Sequence, residues 1–134
     1  MDAKDIAFLS SAARTADGVS DEVEGNIDAT RIIVISSVSA SSGTTPTLDI
    51  YLQTYVAGEW IDILHLTQQT GNTKETGIWT SKTVNTVAAA VQDGALVAGT
   101  ARHGINGSKL RIKYKIGGTT PSFTFTVNAL VRSR

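Results

Sequence analysis

The chain has 134 residues, no cysteine, and twelve basic against twelve acidic residues, for a formal net charge of zero. This length predicts one domain, residues 1–134, able to bury a core without staples. The composition excludes a disulfide framework and a thiolate metal site, a balanced charge argues against wrapping nucleic acid, and no apolar run approaches the roughly 20 residues of a membrane-spanning helix.

The start, "MDAKDIAFLS", has no basic region followed by a long apolar stretch, so no secretory signal is expected. Residues 1–6 are polar and predict an extended N-terminal arm. Weak strand signals follow over 4–12 and 20–26. "TRIIVISSVSA" (30–40) is rich in β-branched residues and reads as a strand. Gly43, Thr44, Thr45 and Pro46 then interrupt the pattern. In "TLDIYLQTYV" (47–56), Leu48, Ile50 and Leu52 alternate with Asp49, Tyr51 and Gln53, the mark of a half-buried strand. An Ala57-Gly58 turn predicts a hairpin with "EWIDILHL" (59–66). "TGNTKETG" is a polar loop that lacks the lysine placement of a phosphate-binding loop. Residues 76–84 predict another strand. Over 84–92, Val84, Val87, Ala88 and Val91 follow helical spacing, and a short helix and an irregular loop both fit.

The last third repeats the earlier grammar. In "KLRIKYKI" (109–116), Leu110, Ile112, Tyr114 and Ile116 point one way, and Lys109, Arg111, Lys113 and Lys115 point the other. Gly118, Thr119, Thr120 and Pro121 follow, a near copy of Gly43–Pro46. "SFTFTVNALV" (122–131) then puts Phe123, Phe125, Val127, Ala129 and Val131 on one face. Each Gly-Thr-Thr-Pro phrase sits between two strand-like runs, so each is expected to be a hairpin loop, with 109–116 pairing antiparallel to 122–131. About eight strands without a strong helix predict an all-β fold, a two-sheet antiparallel β-sandwich of jelly-roll type.

Catalytic and metal-binding groups are scarce. The two histidines are His65 and His103. Asp62 and His65, three apart on a strand, are expected on opposite faces. His65 reads as a partly buried strand residue, and His103 lies in the turn-rich "ARHGINGS". No recognisable nucleophile, zinc or phosphate-loop motif occurs, so no catalytic residue, metal ligand or cofactor is expected. Charge is segregated along the chain. The first 28 residues hold two basic and seven acidic residues, a net of −5, and the last 33 hold seven basic residues and no acid. An acidic arm could therefore cover the basic row, so Asp2, Lys4, Asp5, Lys109, Arg111, Lys113 and Lys115 are the candidate assembly contacts. The row lacks the exposed aromatics of a nucleic-acid groove.

Three stretches carry a resemblance: "SSAARTADG", "GTTPTLDIYLQTYVAGEWIDILHLTQQTG" and "DGALVAGTARHGINGSKLRIKYKIGGTTPSFTFTVNALV". Gly43–Gln53 matches G-T-[ST]-P-[TS]-L-D-[VI]-x-L-Q, Trp60–Ile63 matches W-x-D-[IV], and Gly118–Val127 matches G-T-[ST]-P-S-F-T-F-x-V. In order and spacing these resemble small β-sandwich structural proteins of tailed-bacteriophage and prophage virions. The likeness spans about Ser10 to Val131 and departs at Ala57-Gly58-Glu59, where relatives often carry a Gly- and Thr-rich turn. It implies a non-enzymatic capsid decoration (cement, minor capsid) protein, made in the host cytoplasm and resident in the virion. Its partners would be the major capsid protein or other virion proteins, and its own copies as a homotrimer, with no nucleic acid and no membrane. The alternatives are a neck or tail component, or a carbohydrate- or receptor-binding module presenting Tyr51, Tyr55 and Trp79.

Overall fold

The computed structural model describes residues 2–82 and 88–134. Among them the chain is all β, without helix. The strands are β1 (Asp2–Arg14), β2 (Gly18–Val19), β3 (Val23–Glu24), β4 (Ala29–Val56), β5 (Glu59–His65), β6 (Lys74–Thr80), β7 (Thr100–Ala101) and β8 (Lys109–Ser133). All pairings are antiparallel, within one hydrogen-bonded sheet of eight strands.

Two of these strands are too long to be straight. At about 3.3 Å per residue a 28-residue strand would span about 90 Å, against a diameter of about 35 Å for a compact chain of this size. β4 and β8 therefore bend, and they bend together. Their ladder runs from Ala29↔Ser133 to Ser42↔Ser122, breaks register around Thr44↔Thr119, and resumes from Thr47↔Gly117 to Thr54↔Leu110. The two Gly-Thr-Thr-Pro phrases lie opposite each other at this corner. Neither is the hairpin loop expected from the sequence. Residues 109–116 do not pair with 122–131; each pairs with its own half of β4. A strand–GTTP–strand pattern is the same whether the phrase joins two neighbours or bends one strand of a pair, which is why the sequence misled.

The corner has local two-fold character. Gly43 and Gly118 have φ of 107° and 112°, and Thr45 and Thr120 have φ of 45° and 49°. A Cβ on Gly43 would lie 2.8 Å from the Thr120 carbonyl oxygen, and one on Gly118 would lie 2.8 Å from that of Thr45. Only glycine has both the allowed φ and the missing atom that this crossing needs.

The bend doubles the sheet over. Tyr114 and Phe125 are eleven positions apart on β8, about 36 Å if extended, yet their ring centroids are 5.5 Å apart, edge to face. One layer has the order β1–β8–β4–β6, using the C-terminal half of β8 and the N-terminal half of β4. The other has β2 and β3, then β8, β4, β5 and β7. Between them lies one core. Leu48, Ile50, Leu52, Leu110, Ile112, Phe123, Phe125 and Val127, the inward positions read from the alternation, are all buried in it, with Ile32, Val34, Ile63 and Trp79. Gln69 ties the layers through the bend. It pairs with Leu48 as an isolated bridge and accepts a hydrogen bond from Ser36 Oγ at 2.6 Å.

The other strand expectations fare unevenly. Ala57 and Gly58, with φ of 50° and 89°, make the tight β4–β5 hairpin, as expected. The segment 20–26 supplies only Val23–Glu24, and of 76–84 the residues up to Thr80 are strand, while 83 and 84 lie outside the described residues. The segment 84–92, for which a short helix and an irregular loop both fitted, lies partly outside the described residues, and its described part, Ala88–Gln92, is irregular. The expected N-terminal arm is instead the start of β1: Asp2 to Ile6 pair with Ser133 to Ala129, and Ile6 is buried. The charges near the terminus suggested an arm, but an apolar side chain at position 6 anchors the strand.

Two outcomes follow. Phe125→Ala should destabilise the protein by about 3–5 kcal/mol in urea unfolding, since its ring is fully buried against Tyr114. Gly43→Ala and Gly118→Ala should each cost at least about 1 kcal/mol, from strain at positive φ and the backbone contact, and by similar amounts given the local symmetry.

Candidate functional site

The outer face of the second layer is the most polar buried region of the described chain. β4 contributes Asp49, Tyr51 and Gln53, directly opposite Lys115, Lys113 and Arg111 of β8. On the other side, Gln53 faces Asp62 and Tyr51 faces His65 of β5. The ladder slips between Leu52 and Gln53, so Ile63 is an extra residue on β5. That bulge reverses the alternation, and Asp62 and His65 share one face. The opposite-face expectation is corrected by it.

A strap, residues 92–99, lies across this face. The Asp62 carboxylate holds it, accepting hydrogen bonds from the backbone N–H of Gly94 (2.8 Å), Ala95 (2.9 Å) and Leu96 (3.1 Å), and from Gln53 Nε2 at 2.8 Å. Asp62 N–H in turn donates to the Gln92 carbonyl, and Gly99 N–H to that of His65. Gly94 sits at φ of 82°, which lets successive N–H groups converge on one carboxylate. Arg102 adds bonds to the Ala90 carbonyl and Gln92 Oε1.

The basic row closes over the same strap. Lys113 Nζ lies 2.9 Å from Asp93 Oδ1, and Lys115 Nζ donates to the Gly94 carbonyl at 3.0 Å. Arg111 donates to Gln53 Oε1 at 2.7 Å, lies 3.8 Å from Asp93, and stacks over the Trp60 ring at 4.2 Å. Lys109 pairs with Glu22 at 3.0 Å. The acids within 4.0 Å of the row, among the described residues, are thus Asp93 and Glu22. Asp2, Lys4 and Asp5 lie along the end of β8, opposite Ser133, Val131 and Leu130, and the structure does not bring them to the row. Asp49, Tyr51 and Gln53 do face away from the core as the alternation predicts, but Tyr51 and Gln53 are buried beneath the strap.

Electrostatics fit a closed clamp. Burial raises the Asp49 carboxyl, but hydrogen bonds from His65 and Gln68 and the charges of His65 and Lys115 outweigh it, and its pKa is lowered. Burial likewise raises Asp93, while Gln53, Lys113 and Arg111 bring it below its ordinary value. Burial, then the charges of Asp49, Asp62 and Asp17, push the Tyr51 hydroxyl up to about 12. The Glu22 carboxylate raises Lys109.

His65 is placed to hold rather than to react. Its ring stacks on Tyr51 at 3.9 Å, Nε2 lies 3.0 Å from Asp49 Oδ1, and Nδ1 lies 2.6 Å from the Leu96 carbonyl. Both nitrogens face acceptors on the chain itself, so the ring is engaged on both sides by the strap and by Asp49. His103 accepts from Thr80 N–H at 3.0 Å and ties its loop to β6. Among the described residues no three His, Cys, Asp or Glu side chains gather to hold a metal ion. Of the aromatic candidates, Tyr51 and Trp79 are buried, and half-buried Tyr55 packs on Trp60 with Lys109 over its face. The alternation of 47–53 and 109–116 pointed to this face, but not to its cover. The signals that could have found the cover are an acid inside the apolar run "WIDILHL" and the Asp93-Gly94 turn dipeptide.

No protein-family model matches the chain, and no curated protein matches it significantly.

Asp62→Ala would leave three backbone donors and Gln53 without their acceptor, and should cost at least about 3 kcal/mol in urea unfolding. Acid should act through Asp49 and Asp93. Both have folded pKa values below the ordinary 3.8, so the stability they contribute is complete above that value and is lost as pH falls through the folded values. An unfolding series from pH 6 to pH 2 should show the loss confined to the acid end, and Asp49→Asn should flatten it.

Proposed function

We propose that the chain is a non-enzymatic structural module of a tailed-phage virion, a capsid decoration protein that clamps capsid subunits. The strand order, β1–β8–β4–β6 against β2/β3–β8–β4–β5, supports reading the fold as a jelly roll, an architecture used by viral capsid and lectin domains. The resemblance of Gly43–Gln53, Trp60–Ile63 and Gly118–Val127 to small virion proteins points the same way.

The single observation that carries the docking role is the outer face of the first layer. An antiparallel sheet with one wet face normally carries polar residues there. Here Ile33 lies between Leu130 and Ile78, with Ile35 next along β4. Ile35 and Ile78 are 47% and 49% exposed, and Ile33, Ile35, Leu130 and Ala7, together with the polar Asp5 and Asn128, line a surface cavity of about 590 Å³. A contiguous apolar face on a rigid sheet marks a protein-binding surface. The occupant we assign is the major capsid protein, and three copies of this chain around a three-fold axis would multiply weak contacts into stable attachment. A carbohydrate-binding module would need an exposed aromatic platform, and Tyr51 and Trp79 are buried.

The test uses shells assembled from the capsid protein of the phage that encodes the chain. The protein should co-sediment with them and run as a trimer in light scattering. Ile35→Glu with Ile78→Lys should abolish co-sedimentation while leaving the melting temperature nearly unchanged. Binding to tails in place of shells would move the protein to the neck or tail. Binding to neither would end the virion reading.

A further inference from the structure

We propose that Arg31, Arg132 and Lys82 form a binding site for a phosphate-type oxyanion at the end of the first layer. Arg31 on β4 and Arg132 on β8 are direct cross-strand partners. Like charges in that position repel each other and destabilise a sheet. No carboxylate lies within 4.0 Å of either, or of Lys82, among the described residues. The contrast with the basic row on the other layer is plain, since Lys109, Arg111 and Lys113 all have acidic partners there. Arg132 also keeps a buried Nε–H that donates to nothing.

The three cations are gathered around one concavity. Thr30, Arg31, Thr80, Lys82 and Arg132 line a surface cavity of about 260 Å³, enough for a phosphate group and a small substituent. Its walls are fixed. Thr30 Oγ1 donates to the Arg132 carbonyl at 3.1 Å, Ser81 N–H donates to the Thr30 carbonyl, and Thr80 N–H is held by His103. Two guanidinium forks and an ammonium suit the several acceptor oxygens of a dianion better than the single charge of a carboxylate. Among the described residues no aromatic side chain lines the cavity to stack a base, and the recognition proposed is of the oxyanion itself. The site adjoins the proposed capsid contact, two residues along β4, β8 and β6 on the same face, but does not depend on that contact.

The experiment titrates the purified protein with inorganic phosphate and, separately, with ribose 5-phosphate, at ionic strength held constant with sodium chloride. Calorimetry reads affinity and thermal unfolding reads stability. Saturable binding with a raised melting temperature is expected from at least one ligand. Preference for inorganic phosphate means a free ion, and preference for the sugar phosphate means a phosphomonoester. Arg31→Gln should weaken binding at least about tenfold, as loss of a charge-assisted contact does. The same variant should be at least as stable as the parent without phosphate, because the facing charges are relieved. Lys82→Gln, on an exposed position, provides a second variant with the same expected loss of binding. Stabilisation by phosphate no greater than by chloride, or equal binding by parent and both variants, would overturn the site.

Discussion

The corner where Gly43 and Gly118 cross is the constraint on which the rest of the molecule depends. Two long strands that stay hydrogen-bonded can fold over only if both bend at the same place. Each bend then lies against the other, and neither has room for a Cβ at its crossing glycine. The same physical demand falls on both strands, related by a local two-fold axis, and the same four residues meet it. A repeated phrase in the sequence is thus the trace of a paired bend. The proline of each copy is also explained. At a register break no ladder donor is required of it, so the missing N–H costs nothing.

Once the ribbon is folded, the two halves of β4 and of β8 face their own continuations. Tyr114 meets Phe125, and Gln69 spans from Leu48 to Ser36. Long-range order then rests on a few residues, and the short strands fill the remaining edges. β6 joins the first layer at β4, and β5 joins the second. The strap over the second layer is a later addition in this hierarchy. It depends on the bulge at Ile63, which turns Asp62 outward to capture Gly94, Ala95 and Leu96. Without the bulge an acid at position 62 would point into the core, where an unpaired carboxylate is not tolerated.

What the sequence made legible was whatever depends on one strand at a time. Alternation located Leu48, Ile50, Leu52, Leu110, Ile112, Phe123, Phe125 and Val127 in the core, because burial on one face leaves a period of two. It located the Ala57-Gly58 hairpin, because a tight turn is a local event. Pairing between distant segments left no such mark. "GTTP" reads identically in a hairpin and in a shared corner, and only the β4–β8 register separates them. The candidate site was half legible for the same reason. The basic row was visible as a pattern, but its partners, Asp93 and Glu22, come from segments with no periodicity of their own. Of the acidic first 28 residues, Glu22 does meet the row, at Lys109, but Ile6 and the β8 ladder take residues 2–6, the expected arm, elsewhere.

The two outer faces are therefore unlike, and the difference bears on how the molecule can be used. The second layer has its polar face closed by its own chain, with Asp62, His65, Arg111, Lys113 and Lys115 engaged with the strap and Lys109 paired with Glu22. The first layer has no such cover among the described residues. It shows Ile33, Ile35, Ile78 and Leu130 at its centre and Arg31 with Arg132 at one end. Its edges are guarded as exposed edges usually are. β1 carries Lys4 and Asp5, and β6 begins with Lys74 and Glu75, charges that discourage strand addition. A partner that binds this layer then does so through side chains on its face, with the shape of that face set by the corner that doubled the sheet.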